Sequence, residues 1–155
     1  MEQPEPLSPV RELIDRLRRH TFRTRVGIWR MPLDYVGQEA DVAVRLGIEA
    51  VDVREPILQQ LPEGTRFARL TDEKILEAFD NITSNICKKD CALVYNVDLL
   101  LASLTRERRQ SVWQGLFDGL PRRTRALVVA IPVSAEQLLP TAQLLEALQR
   151  DERLV

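Results

Sequence analysis

The chain has 155 residues, 45% of them hydrophobic, and a formal net charge of −1 from 22 basic and 23 acidic side chains. That length makes one domain with room for a real core, and the even charge balance demands neither a nucleic acid nor a membrane partner. The apolar runs are far too short to span a bilayer, and the opening MEQPEPLSPV has no apolar segment of the secretory kind, so a single cytoplasmic domain over 1–155 is expected, with 1–7 as a loose lead-in.

Ser8-Pro9 reads as a helix start, with a capping hydroxyl followed by proline at the first helical position. Val10, Leu13, Ile14 and Leu17 recur at helical spacing, and Arg16, Arg18 and Arg19 fall where cations suit the helix dipole. The helix is expected to end near His20 or Thr21, leaving His20 solvated. Arg25 to Met31 (RVGIWRM) is the first strand candidate, Pro32 to Gly37 a connection, and Gln38 to Leu46 a short helix stopped by Gly47. Ile48 to Val53 is a second strand. Within Arg54 to Leu70, Glu55-Pro56 can open one turn through Leu61, and Pro62-Glu63-Gly64 is a turn signal.

Thr71 then caps a helix whose apolar stripe is Ile75, Phe79, Ile82 and Ile86, with Leu70 placed to staple the cap against Ile75. Cys91 to Leu101 (CALVYNVDLLL) reads as a buried strand running into polar residues. Thr105 opens the next helix, whose inner face would use Val112, Leu116, Leu120 and one of Trp113 or Phe117. Arg125 to Ile131 is apolar on both faces and hence a central strand. Ser134 to Gln137 forms a capping box for a last helix, and Pro140 predicts a kink or a restart. Strand and helix alternate throughout. This implies an α/β domain, a mostly parallel sheet in a three-layer sandwich with right-handed crossovers and helices on both faces.

In such a fold the first strand–loop–helix is where a phosphate loop, G-x-x-x-x-G-K-[ST], would lie. The register anchored on Gly37 reads Pro32-x-x-x-x-Gly37-Gln38-Glu39. Pro32 removes an amide, Gln38 lacks the charge of the lysine, and Glu39 stands where a hydroxyl would hold magnesium. Asp34, Glu39 and Asp41 place carboxylates near the expected triphosphate. One like-charge contact at about 4 Å costs on the order of 4 kcal/mol at an effective dielectric near 20, about half of a micromolar affinity. The strand at 91–101 is where a metal-ordering Asp and a water-activating acid would follow one another. One register puts Tyr95 and Asn96 at those places, and the next puts Asn96 and Val97 there. Neither keeps the acidic pair, and Asp98 reads as a capping or ion-pair residue. The expectation is a chain with no catalytic residue, no cofactor and no metal, leaning away from an enzyme. Cys87 and Cys91 lack a second ligand pair and read as reduced thiols.

RVGIWRMPLDYVGQEADVAVRLG, IEAVDV, LVYNVDLLL and RALVVAIP together resemble the skeleton of a small P-loop ATPase domain, and within that class the BrxF family of BREX phage-defence systems. In that family a strand ending in Asp-Asn-Ile-Glu-Leu-Leu precedes a helix and a strand ending in Trp-Pro. Asn96-Val97-Asp98-Leu99-Leu100 and Ala130-Ile131-Pro132 follow that outline, while the family's preceding Asp falls on Tyr95 and its Walker lysine on Gln38. The resemblance covers roughly 25–133. It implies a sheet of strand order 1-4-3-2 and a role in a multi-protein antiviral system, without nucleotide hydrolysis.

Partners are therefore expected to be proteins, of a defence complex or a second copy. In that strand order the first strand is an edge, which only Arg153-Leu154-Val155 could extend. Arg23, Arg25 and Arg30 could guard it, or it could accept a partner strand with Trp29 as a contact point. Arg106, Arg108, Arg109, Arg122, Arg123 and Arg125 bracket one helix as a solvated face or a docking patch for an acidic protein or a nucleic acid. Two alternatives to a protein-binding domain stay open: a nucleotide binder with an atypical loop that uses arginine, and a DNA-associated accessory factor.

Overall fold

The computed structural model describes residues 7–19, 24–59, 71–119 and 125–155. Helix α1 (Ser8–Arg19) leads into strand β1 (Val26–Met31), a 3-10 turn (Leu33–Tyr35) and helix α2 (Glu39–Leu46). Strand β2 (Glu49–Asp52) runs into the short α3 (Arg54–Gln59), and α4 (Asp72–Asn81) precedes β3 (Cys91–Tyr95). Helices α5 (Val97–Leu101) and α6 (Arg106–Gln114) follow, then β4 (Ala126–Pro132) and α7 (Ala142–Arg150).

The strands form one four-stranded sheet in the order β1-β4-β3-β2, parallel at every pairing. The alternating pattern and the expected strand order are both found. β4 is buried at all positions, as its two-sided apolar run requires of a central strand. On one face Leu13, Ile14 and Leu17 of α1 and Val42 and Leu46 of α2 pack against Trp29, Leu93 and Val128. On the other, Phe79, Val112, Trp113 and Leu148 pack against Ile28, Val94 and Val129. The helical spacing of Val10, Leu13, Ile14 and Leu17 is the reason α1 has one wholly buried stripe.

Three details depart from the sequence expectations, each for a local reason. The stretch 91–101 divides: the strand stops at Tyr95, Asn96 adopts a left-handed backbone (φ 64°), and α5 begins at once. Asparagine tolerates that conformation well, so a single residue turns the chain. The helix after Thr71 ends in a π turn over Ile82–Ile86, which shifts its stripe by one residue. Thr83 is buried in consequence, its hydroxyl donating to the Phe79 and Asp80 carbonyls, while Ile86 is half-buried. α6 likewise widens into a π turn over Gly115–Gly119, and Trp113 and Phe117, four residues apart on one helix face, are both buried rather than one of them. Gly115 permits the close α4 contact there, since a Cβ would lie 2.6 Å from Leu76 Cδ1.

Caps show the same logic. Thr71 accepts from the Lys74 amide as expected, and Leu70, its staple partner, lies outside the described residues. Ser134 caps nothing: Val133–Leu138 is a 3-10 segment entered from Pro132 with no side-chain cap. The helix restarts after Pro140, with Thr141 accepting from Leu144.

The β1 edge is closed by the chain's own end. Arg153 and Val155 carbonyls accept from the Ile28 and Arg30 amides, and the Val155 amide donates to the Ile28 carbonyl. Leu154 thus pairs in parallel with Ile28. Arg153 is buried, donates to the Thr24 carbonyl at 2.8 Å and lies 5.1 Å from the Phe117 ring centroid. Trp29, expected as an exposed contact on an open edge, is only 3% exposed, with Tyr35 at a ring-centroid distance of 5.7 Å. An indole facing the α1 side of the sheet is core, because the alternation of β1 turns it inward. No helix among the described residues is long and apolar enough to cross a membrane.

Candidate functional site

All strands being parallel, their carboxyl ends share one edge, which is where ligands gather in open α/β sheets. The β1–α2 connection lies there. Three of its amides are already paired: Tyr35 N–H donates to the Pro32 carbonyl, Val36 to Leu33 and Gln38 to Tyr35. A phosphate loop needs those groups turned inward and free. Gly37 does adopt a positive φ, 85°, but its role is to complete a tight turn. Gln38 is the residue before α2 and makes no side-chain cap. Glu39, 6% exposed, and Asp41 occupy the first turn of α2, so carboxylates already complement its dipole.

At the next strand ends the chemistry is a closed polar knot. Asp52 accepts from the Arg54 amide (3.0 Å), from Arg54 Nη2 (2.8 Å) and from Asn96 Nδ2 (3.0 Å). Burial alone would raise the Asp52 carboxyl, but the hydrogen bonds of Arg54, side chain and backbone, and of Asn96 outweigh it and hold the group below its ordinary value. Asn96 is therefore a joint, by its backbone, and a tie between β3 and β2, by its side chain. Tyr95 is half-buried, and burial followed by the neighbouring Asp52, Glu39 and Glu55 carboxylates pushes its phenol up. Asp98 is raised by burial and then by Glu39, against the backbone amides of Asp98 and Leu99 that it accepts from. Sequence reasoning missed Asp52 and Arg54. The available signal was an Asp at a strand end with a helix starting two residues later, the pattern of an Asx cap.

A second feature of this edge was also missed. Leu33 and Val36 after β1, Val133 after β4, Leu99 after β3 and Leu58 after β2 are exposed to 56%, 48%, 39%, 51% and 65%. Each strand therefore delivers an exposed aliphatic side chain to the same edge. With strands about 4.8 Å apart, the row extends about 15 Å across the sheet.

The arginines separate into different roles. Arg125 donates to the Thr83 carbonyl at 2.7 Å and ties the start of β4 to the π turn, so it belongs to the framework. Arg122 and Arg123 lie outside the described residues. Arg106 and Arg108 are exposed and Arg109 half-buried in the first turn of α6, where Thr105 accepts from the Arg108 amide. Cations at a helix start oppose the dipole. Beside them a groove of about 380 Å³ is lined by Arg106, Arg109, Trp113 and Glu136, with Thr141 at the start of α7.

Neither cysteine is a poised nucleophile. Burial, then the Glu49 carboxylate, pushes Cys87 up to about 11, and burial pushes Cys91 up to about 12. Both are free thiols. Among the described residues no group of three or more His, Cys, Asp or Glu is placed to hold a metal ion. Comparison with protein-family models, with curated proteins and with solved structures returns no match for this chain.

Proposed function

We propose that the chain is a P-loop-like domain without catalysis, an adaptor that works by contact with protein in an assembly of the phage-defence kind its BrxF resemblance suggests. The observation that carries this reading is the pairing of the Tyr35, Val36 and Gln38 amides inside their own turn. A triphosphate at this edge would meet three amides already engaged, no lysine, and the carboxylates of Glu39 and Asp41. Arg54, at the end of β2, is engaged by Asp52. The exposed aliphatic row supplies what a nucleotide site does not have, an apolar surface for another protein.

Thermal unfolding with MgATP and MgGTP tests the reading. Nucleotide at a hundredfold over its Kd would add about 2.7 kcal/mol, a rise of several degrees in a domain of this size. The expected result is an unchanged Tm. A nucleotide-dependent rise of that size overturns the reading.

A further inference from the structure

We infer that the carboxyl edge of the sheet is a self-complementary surface on which a second copy of this chain docks, the aliphatic row lying on its own symmetry mate. This deepens the adaptor reading and rests on it.

The argument begins with the row. Leu33, Val36, Val133, Leu99 and Leu58 come from connections after all of the strands, in the order of the sheet. Five of the six large exposed hydrophobics among the described residues follow the strands in this way, the sixth being Val44 within α2, and such a concentration marks an interaction surface rather than scattered exposure.

Charge identifies the occupant. α2 starts on one side of the row and carries Asp41, with Asp34 exposed in the preceding turn. α6 starts on the opposite face of the sheet, at the same end, and carries Arg106 and Arg108. Glu107 and Glu136 moderate that basic side, and the half-buried Arg109 beside them leaves it one arginine in excess. A two-fold axis parallel to the row and lying in the contact plane superposes the row on its copy. The same operation brings the α2 start of each protomer against the α6 start of the other. Apolar contact and charge are then satisfied together, the signature of an isologous interface. The position of the arginines gains a reason as well. They oppose their own helix dipole, which a purely structural helix start would avoid. An unrelated basic partner would suit the α2 side only, and an acidic one the α6 side only.

Sedimentation velocity over a concentration series on the full chain reads the proposal directly. Wild type is expected to pass from monomer to dimer as concentration rises. Leu99→Asp and Val133→Asp each weaken dimerisation at least tenfold, with unfolding curves that stay close to wild type. Arg106→Glu with Arg108→Glu weakens it likewise, although the acidic side chains suit the helix start better. Adding Asp34→Arg and Asp41→Arg to that variant restores most of the loss, a rescue that only opposed pairing across a two-fold axis gives. A monomer at every concentration overturns the proposal, and so does a dimer indifferent to Leu99→Asp and Val133→Asp or to the charge exchange. A monomer whose Tm ignores nucleotide removes the self-docking inference and leaves the adaptor reading. A protein whose Tm rises with MgATP removes the adaptor reading itself.

Discussion

The lateral edge of β1 and the carboxyl edge of the same sheet are both places where backbone and apolar groups come to a border, and the chain treats them in opposite ways. The lateral edge is closed from within. Arg153 to Val155 pair with Ile28 and Arg30, and Gly27 makes room for them, since a Cβ there would lie 2.8 Å from Leu13 Cδ1 and 3.2 Å from the Arg153 carbonyl. The carboxyl edge has a polar centre closed on itself and an aliphatic border left uncovered. Closure protects a sheet from unwanted pairing, while exposed aliphatics are a liability unless something covers them. The difference sets a closed side against an uncovered end, and the proposed docking belongs to that end.

Substitutions at the two edges should therefore behave oppositely. The largest effect is expected at Trp29. Trp29→Ala removes a buried indole and should cost about 3–5 kcal/mol in urea unfolding, with no specific effect on association. A cost within about 0.5 kcal/mol would return Trp29 to the surface and reopen the lateral edge as a contact site.

An intermediate effect belongs to the polar knot, and its sign depends on the carboxylate. Asp52 is held below its ordinary 3.8, so its contribution is present above that pH and is lost as pH falls through the lower folded value. Asp52→Asn should cost about 1–2 kcal/mol at pH 7, and the gap from wild type should close in strong acid. Asp98 is shifted upward by burial and by Glu39, so its ionised form disfavours folding above the raised value. Asp98→Asn should hold or slightly raise stability at pH 7. Denaturant unfolding from pH 2 to pH 8 checks both, and equal losses at neutral pH would contradict the assignment of Asp52 as tie and of Asp98 as a carboxyl raised by burial. The smallest effect on folding belongs to Leu99→Asp, within about 0.5 kcal/mol because the side chain is 51% exposed, although this is the variant expected to abolish association.

Much of the framework was legible because it follows from periodicity. The stripe of Val10, Leu13, Ile14 and Leu17 fixes α1, the unbroken apolar run of Ala126 to Pro132 marks a central strand, and Pro140 forces a restart. The π turns were not legible, because a single inserted residue leaves the composition unchanged and only moves the stripe, burying Thr83. The burial of Trp29 depended on which face of β1 it occupies and on α1 covering that face, a long-range contact that the pattern of the strand alone does not announce. At the carboxyl edge the sequence did show which phosphate-loop residues are lacking. It could not show that the Tyr35, Val36 and Gln38 amides are paired, nor that separate aliphatics at 33, 36, 58, 99 and 133 meet at one end of the fold.

The most direct measurement is a dilution series of amide spectra on the ¹⁵N-labelled chain. The account predicts that the amides of Leu33, Val36, Leu99, Arg106 and Val133 shift with protein concentration while those of Ile28, Arg30 and Val155 stay fixed. Concentration-dependent shifts confined to Ile28, Arg30 and Val155, or no shift at either edge, would contradict it.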